Sequence, residues 1–457
     1  MPSCEPWPEG GREVCAAPEQ AHLPGEPGCA TLARVAAGEW ADGLPAAGVL
    51  YVRPGALGGT GARAEPFGTI AEAIAAASPG TIVALARGRY DEAVLVDRSL
   101  TLRGAGPATV LAPLGAAEAP AIDVTAEGVR LEDLAIAGVD RMGARVRGRG
   151  DVDASGLVVD GARDRGILVE EGGKLRIRDS IIRNLREDPS TRSAHGGLHA
   201  STGATVEMSS CLLEANLAHG ALIEGPGTTA SFTDTAIVDS RQDALRFFGE
   251  NVFVDFGARV TLTRVVSERG HLVGVIGEGD GVELTIDDSV LRDTQDGMIG
   301  GGEPFQMPLQ CGQGASCTVR GTLIERSENG LFAAYQDGTL RIERCILRDA
   351  GEQSFASRGA RVEIVSSIFA RTLVSAATFG ERRDRARRGP ARDPERAPRL
   401  PRRDAASVYG RDGDLCQRRP QHGDPTPRRP RLTRERCRRH EHVTPRDRHD
   451  HRAAAAG

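Results

Sequence analysis

A chain of 457 residues that is 40% hydrophobic but only 4% aromatic, with 57 glycines, has too few large side chains for broad globular cores. Its length allows two or three ordinary domains or one long solenoid, and the composition suits a narrow core of Val, Ile, Leu and Ala between tight turns. From Glu381 to Gly457, 23 Arg face 12 Asp and Glu (+11), so residues 1–380, with 35 basic and 51 acidic side chains, carry −16 of the overall −5. So acidic a body argues against binding nucleic acid or anionic membrane, and no stretch approaches the ~18 apolar residues of a membrane span.

In chain order, residues 1–48 form a Gly/Pro-rich leader with Cys4, Cys15 and Cys29, and further on Cys311 and Cys317 bracket a six-residue step. No His stands at zinc spacing beside them, so they read as disulfides of an oxidising compartment. Met1-Pro2-Ser3-Cys4 has neither a basic nor an apolar signal region, and the expectation is an extracellular or cell-envelope protein whose signal segment is missing from this chain. Phe67, Ile70, Ile74 and Ala77 recur at helical spacing before the stop Pro79-Gly80. They predict a short amphipathic helix over about 67–77, laid across the open end of a solenoid.

Beyond it one unit recurs: apolar-x-apolar, two polar residues, a small residue, two apolar residues and a polar turn. Leu175-Arg-Ile177-Arg-Asp-Ser180-Ile-Ile182 and Leu284-Thr-Ile286-Asp-Asp-Ser289-Val-Leu291 are two copies. The small position falls at Ser180, Cys211, Thr235, Ser289, Thr322, Cys345 and Ser367, and unskipped steps run from 22 to 33 residues. Such short strands bury a core only by pairing in parallel one coil above another, ~4.8 Å apart. About ten rungs give a rod of roughly 50 Å, with the small residues as an inward ladder at a tight corner. On this ladder Cys211 and Cys345 read as core, not as reactive thiols.

The helix residues Phe67-Gly-Thr-Ile-Ala-Glu-Ala73, the turn Gly88-Arg-Tyr-Asp-Glu92 and the first rung Leu100-Thr-Leu-Arg-Gly104 resemble the opening of pectin-lyase-like proteins. That resemblance implies an all-β, right-handed parallel β-helix over about 49–380. It implies little about activity, because the superfamily holds esterases, lyases, hydrolases and members without a known reaction. Gln242-Asp243-Ala244-Leu245 and Val254-Asp255-Phe256-Gly257 are similar to pectin methylesterase motifs, which would make Asp243 the general acid and Asp255 the nucleophile. Against this, the two aspartates lie 12 residues apart instead of a coil, and no Arg-Pro-Trp follows. A polar turn and a strand end are the plainer readings.

Asp287-Asp288 is a lone adjacent Asp pair inside a repeat, without the partners a polygalacturonase-like site would need. A second pattern places His219, Asp296 and Asn329 before the glycine of the second strand, with Asp243 in the equivalent place and His195 and His199 a coil earlier. Stacked, His195, His199, His219 and Asp296 could bind sugar hydroxyls or a metal, although a solvated turn is the plainer reading. No spacing calls for a metal or a cofactor. Arg149-Gly150-Asp151, an adhesion tripeptide in form, is a chance match in a chain so rich in Arg and Gly.

From Glu381 the repeat stops; 23 Arg and nine Pro with only five Leu, Ile, Val or Phe predict a disordered basic tail, and the abruptness suggests a reading-frame change. The organisation expected is therefore leader 1–48, β-helix 49–380 and tail 381–457. The function expected is a non-catalytic extracellular or envelope protein whose faces meet a polysaccharide or protein surface. The alternative is a polysaccharide-acting enzyme of the pectin esterase, lyase or hydrolase type.

Overall fold

The computed structural model describes residues 6–379, apart from 8–10, 18, 114, 116–118, 190–191, 193, 245–247, 299–303, 352–353, 358 and 373–376. Cys4 and the basic tail fall outside the described residues.

Each coil lays down three short strands, and each pairs in parallel with its counterpart one coil away. In one coil these are Lys174–Arg178 on face A, Ile181–Arg183 on face B and Gly196–Ala200 on face C. Lys174–Arg178 registers on Thr205–Ser209, Ile181–Arg183 on Leu212–Glu214, and Leu198–Ala200 on Ala221–Ile223. Two longer strands, Val129–Ala137 and Asp151–Asp160, run through both A and B and join those faces. Face C is a 12-stranded sheet, so the solenoid is longer than the about ten rungs expected.

Like residues stack into inward ladders because the period of two fixes which side chains meet one coil up. On face A one such ladder is Leu175, Val206, Ala230, Val260 and Leu284, and another is Ile177, Met208, Phe232, Leu262 and Ile286, all buried. The small corner ladder is buried from Ser180 to Cys345 and half-buried at Ser367, and hydrogen bonding as well as space explains it. Ser180 Oγ accepts from the Leu157 N–H at 3.1 Å and donates to the Arg178 carbonyl at 2.7 Å. Ser289 and Ser367 repeat both bonds a few coils on. Each hydroxyl thus satisfies two backbone groups where the chain turns from face A to face B. Cys211 and Cys345 fill the same place with thiols, and burial pushes Cys211 up to about 12, leaving it inert.

The helix spans Ile70–Ala76, with Thr69 and Glu72 forming a capping box. Ile70, Ala73 and Ile74 close the core of the first coils. Glu92 accepts from the N–H groups of Ile70 at 2.6 Å and Ala71 at 3.1 Å, and buried Tyr90 holds its hydroxyl within 3.0 Å of the carbonyls of Val52 and Ala86. The Gly88-Arg-Tyr-Asp-Glu92 turn is therefore a clasp between helix and first coils.

The leader is a strap down face B. Trp7, Ala21, Leu23 and Leu32 cover an outward row of Ile181, Leu212, Ala236, Val266, Val290 and Leu323. Ala33 then packs on Ala135 and Val158, and Trp40 on Ala84 and Ala86, so the strap runs back toward the first coils. Arg12 pairs with Glu214 at 2.6 Å, and Trp7 Nε1 donates to Glu268 at 3.3 Å. Disulfides join Cys15 to Cys29, 14 residues apart, and Cys311 to Cys317. Cross-linking a loop of that first length is worth about 3 kcal/mol. The C15S/C29S variant is therefore expected to lose the leader to limited proteolysis at protease levels that leave the wild-type chain intact.

Candidate active site

On face C the strands end at a turn, and the last outward residue of each forms a row along the rod. The row reads Glu170, Ser201, Glu224, Asp255, Glu278, Gly312 and Tyr335. Glu224 registers on Asp255, Val254 on Gly277 so that Asp255 adjoins Glu278, then Glu278 on Gly312 and Gly312 on Tyr335. Three carboxylates thus follow one another at the ~4.8 Å spacing of paired strands.

Their surroundings raise two of them, Asp255 and Glu278, and lower the third, Glu224. Glu278, 5% exposed, is pushed up to about 7, first by burial and then by the negative Asp255 and Glu250, against hydrogen bonds from Tyr335 and Gln313. Tyr335 reaches back over Gly312 to donate to Glu278 Oε2 at 2.7 Å, and Gln313 Nε2 donates to the same oxygen at 3.0 Å. A side chain at Gly312 would close that path, since its Cβ would stand 2.3 Å from the Tyr335 ring. Asp255, half-buried, is pushed up to about 6 by burial and by Glu224, although the Phe256 N–H donates to it at 2.6 Å. Glu224 is held below the usual range by its hydrogen bond with His199.

His199 stands beside this row on the outward side of its strand. Its Nδ1 accepts from Arg165 Nε at 3.0 Å, so the ring proton lies on Nε2, 2.9 Å from Glu224. Burial lowers its pKa, which keeps the ring neutral as a donor to Glu224. His195 stacks on His199 at 5.8 Å with 6° between planes and holds Asp164 at 2.6 Å. Asp164 also pairs with Arg165, so four side chains orient one imidazole.

The structure sorts the expected site residues. Asp255 lies on the acid row and His195 and His199 beside it. His219 and Asp296 do not form one column with Asp243, because the register sets His219 opposite Glu250. His219 and Glu250 are 2% and 3% exposed, with Nδ1 3.1 Å from the carboxylate but without hydrogen-bond alignment, under the Phe248 and Phe253 rings. A solvated turn fits Asp296, which is exposed and accepts from Gln306, but not buried His219 or Asp243. Asp243 lies in the connection between Val238 and Val252, off the acid row. That connection is an insertion, and counting back from a glycine could not reveal it. Beside Asp243, Gln242 exchanges two hydrogen bonds with the Met298 backbone, tying two connections together. Among the described residues no group of three or more His, Cys, Asp or Glu is arranged to hold a metal.

Sequence reasoning missed Glu224, Glu278, Tyr335, Gln313 and Arg165. A signal was present: Glu224-Gly-Pro-Gly227, Asp255-Phe-Gly257 and Glu278-Gly-Asp-Gly281 each set an acid two or three residues before a turn glycine. Aligning third strands by that closing glycine brings the acids together.

A family described only as of unknown function, DUF1565, matches residues 55–96, which span the capping helix and the Tyr90–Glu92 clasp and stop short of the acid row. The parallel coils and their helical lid decide the architecture. The chain is a right-handed parallel β-helix, and its matched opening is similar to that of pectin-lyase-like proteins. No curated protein matches it in sequence. Among solved structures, this β-helix is similar to a pectate lyase at 14% identity and TM-score 0.38, over 70% of this chain and 78% of that one. It is also similar to the A-module of a mannuronan C-5 epimerase from Azotobacter vinelandii at 16% and 0.43, over 65% and 93%. The catalytic unit of an α-1,3-glucanase from Streptomyces thermodiastaticus matches at 17% and 0.43, over 76% and 72%. Likenesses this distant bear on no question of reaction.

Proposed function

We propose that this β-helix is a carbohydrate-cleaving enzyme of the extracellular space or envelope, acting through the acid row on face C. The observation that carries it is the stacking of three carboxyls on successive coils, Glu224 held charged beside His199 while burial raises both Asp255 and Glu278, since neighbouring carboxyls placed in unlike surroundings are the mark of an acid and its partner. Non-catalytic display of a surface, the simpler expectation, leaves that arrangement without a role. The two disulfides support an oxidising location.

Glu278, protonated up to about pH 7, gives its proton to the glycosidic oxygen as the bond to the anomeric carbon breaks. Ionised Asp255 attacks that carbon; its place on the coil next to Glu278 suits the close pair of carboxyls that retaining glycosidases use. Water then displaces Asp255 and gives its proton to Glu278, so the products are an alcohol and a reducing end. Glu224, kept charged by His199, steadies the positive charge that develops on the sugar ring.

The test is the full chain against a polysaccharide panel, reading new reducing ends, product anomer and pH dependence. The rate is expected to rise through about 6 as Asp255 ionises and to fall through about 7 as Glu278 loses its proton. The first product is expected to retain its anomeric configuration. Inversion would instead make Glu224, two coils from Glu278, the base that activates water. A rate still climbing above pH 8 would exclude Glu278 as the acid.

A further inference from the structure

The turn that follows the acid row carries a left-handed residue in coil after coil. That position holds Glu171, Thr202, Gln313 and Gln336 with φ between 47° and 55°, polar side chains suited to water. Directly after Asp255 it holds Phe256, at φ 50° and 63% exposed. A bulky residue is costly in this region, and the ring recovers nothing by burial. In the coils on either side, the same position is Gly225 and Gly279, with φ of 92° and 101°. Neither neighbouring coil therefore sets a side chain at the position equivalent to Phe256. Gly279 has a second reason to be glycine: a Cβ there would meet Asp255 Oδ1 at 2.7 Å.

We infer that Phe256 is the substrate platform of the acid row, stacking on the apolar face of an uncharged pyranose ring and so setting the adjoining glycosidic bond over Asp255 and Glu278. This assignment rests on the proposed reaction for its orientation and adds the substrate class. An aromatic face attracts the C–H groups of a sugar ring, whereas ionised Glu224 and Asp255 in a body of net charge −16 repel a polyuronate. Uncharged glycan is what both features accept together.

Binding can be read apart from turnover. Titration of laminarin, dextran and arabinoxylan into the full chain carrying Glu278→Gln is expected to find affinity for at least one of them and none for polygalacturonate. Adding Phe256→Ala is expected to weaken that affinity by about tenfold, and Phe256→Trp to keep it. In the otherwise wild-type chain, Phe256→Ala raises KM by a similar factor and leaves kcat within about threefold, because the ring makes no contact with the transferred proton. Equal affinity with and without the ring, binding of polygalacturonate alone, or no binding of any probe would overturn the inference. Affinity lost with Phe256 but turnover untouched by Glu278→Gln would leave the platform standing and sink the proposed reaction.

Discussion

Glu278→Gln is expected to lower the rate of glycan cleavage by about 10²–10⁴-fold, the range that a positioned general acid supplies. Glutamine keeps the acceptor for Tyr335 but has no proton to give at neutral pH, so the loss reports chemistry and not folding. Stability provides an independent check of opposite sign. A carboxyl raised from 4.5 to about 7 in the folded chain favours folding while both states are protonated. As pH rises from about 4.5 to 7 the unfolded chain ionises first, and up to about 3 kcal/mol of that advantage is lost. The amide has no such dependence. The melting temperature of Glu278→Gln is therefore expected to match wild type near pH 4.5 and to exceed it at pH 8. Superimposable melting profiles across that interval would mean that Glu278 is not held protonated.

Arg292→Ala is expected to be the most disruptive single change on face B. Glu268, Arg292, Glu325 and Arg348 occupy one outward row in successive coils, so their charges alternate along the rod. Arg292 lies 3.1 Å from Glu268 and 3.6 Å from Glu325, and the side chains of all three are at most 6% exposed. Removing the guanidinium leaves two buried carboxylates without the cation between them, and because Glu268 keeps Arg269 and Glu325 keeps Arg326 and Arg348, the cost is about 1–3 kcal/mol. In a solenoid each coil contacts chiefly its neighbours, so the damage should be local. Hydrogen exchange is expected to accelerate first at Val266–Glu268, Val290–Arg292 and Leu323–Ser327, before face C responds. The triple change E268M/R292L/E325M, apolar throughout, is expected to regain most of the loss. If it is no better than Arg292→Ala alone, packing and not charge holds this row.

Fold and site were legible to different depths. Period-two alternation and a repeated small residue suffice to place face A and the corner ladder, because each coil solves the same burial problem with the same pattern. The strap was not legible: Trp7, Leu23 and Leu32 show no periodicity of their own, and their partners lie on coils far along the chain. Of the acid row only Asp255 stood out, through a family motif that its neighbours do not share. Glu224 and Glu278 look like ordinary polar ends of short strands. Unequal connections such as the one holding Asp243 also break the count by which one coil is laid on the next.

The hydrogen bond between Trp7 and Glu268 joins residues 261 apart in sequence. A chain made from its N-terminus releases the strap before those coils, yet the surface that receives it exists only once the coils around Val266 and Val290 have stacked. Coil upon coil can close early, since each stacking step joins segments near in sequence, whereas strap docking must bridge most of the molecule. The strap, synthesised before the coils it covers, is therefore the last to settle. Until it does, the apolar row on face B stands open, and that interval is when this protein is most exposed to sticking to a copy of itself.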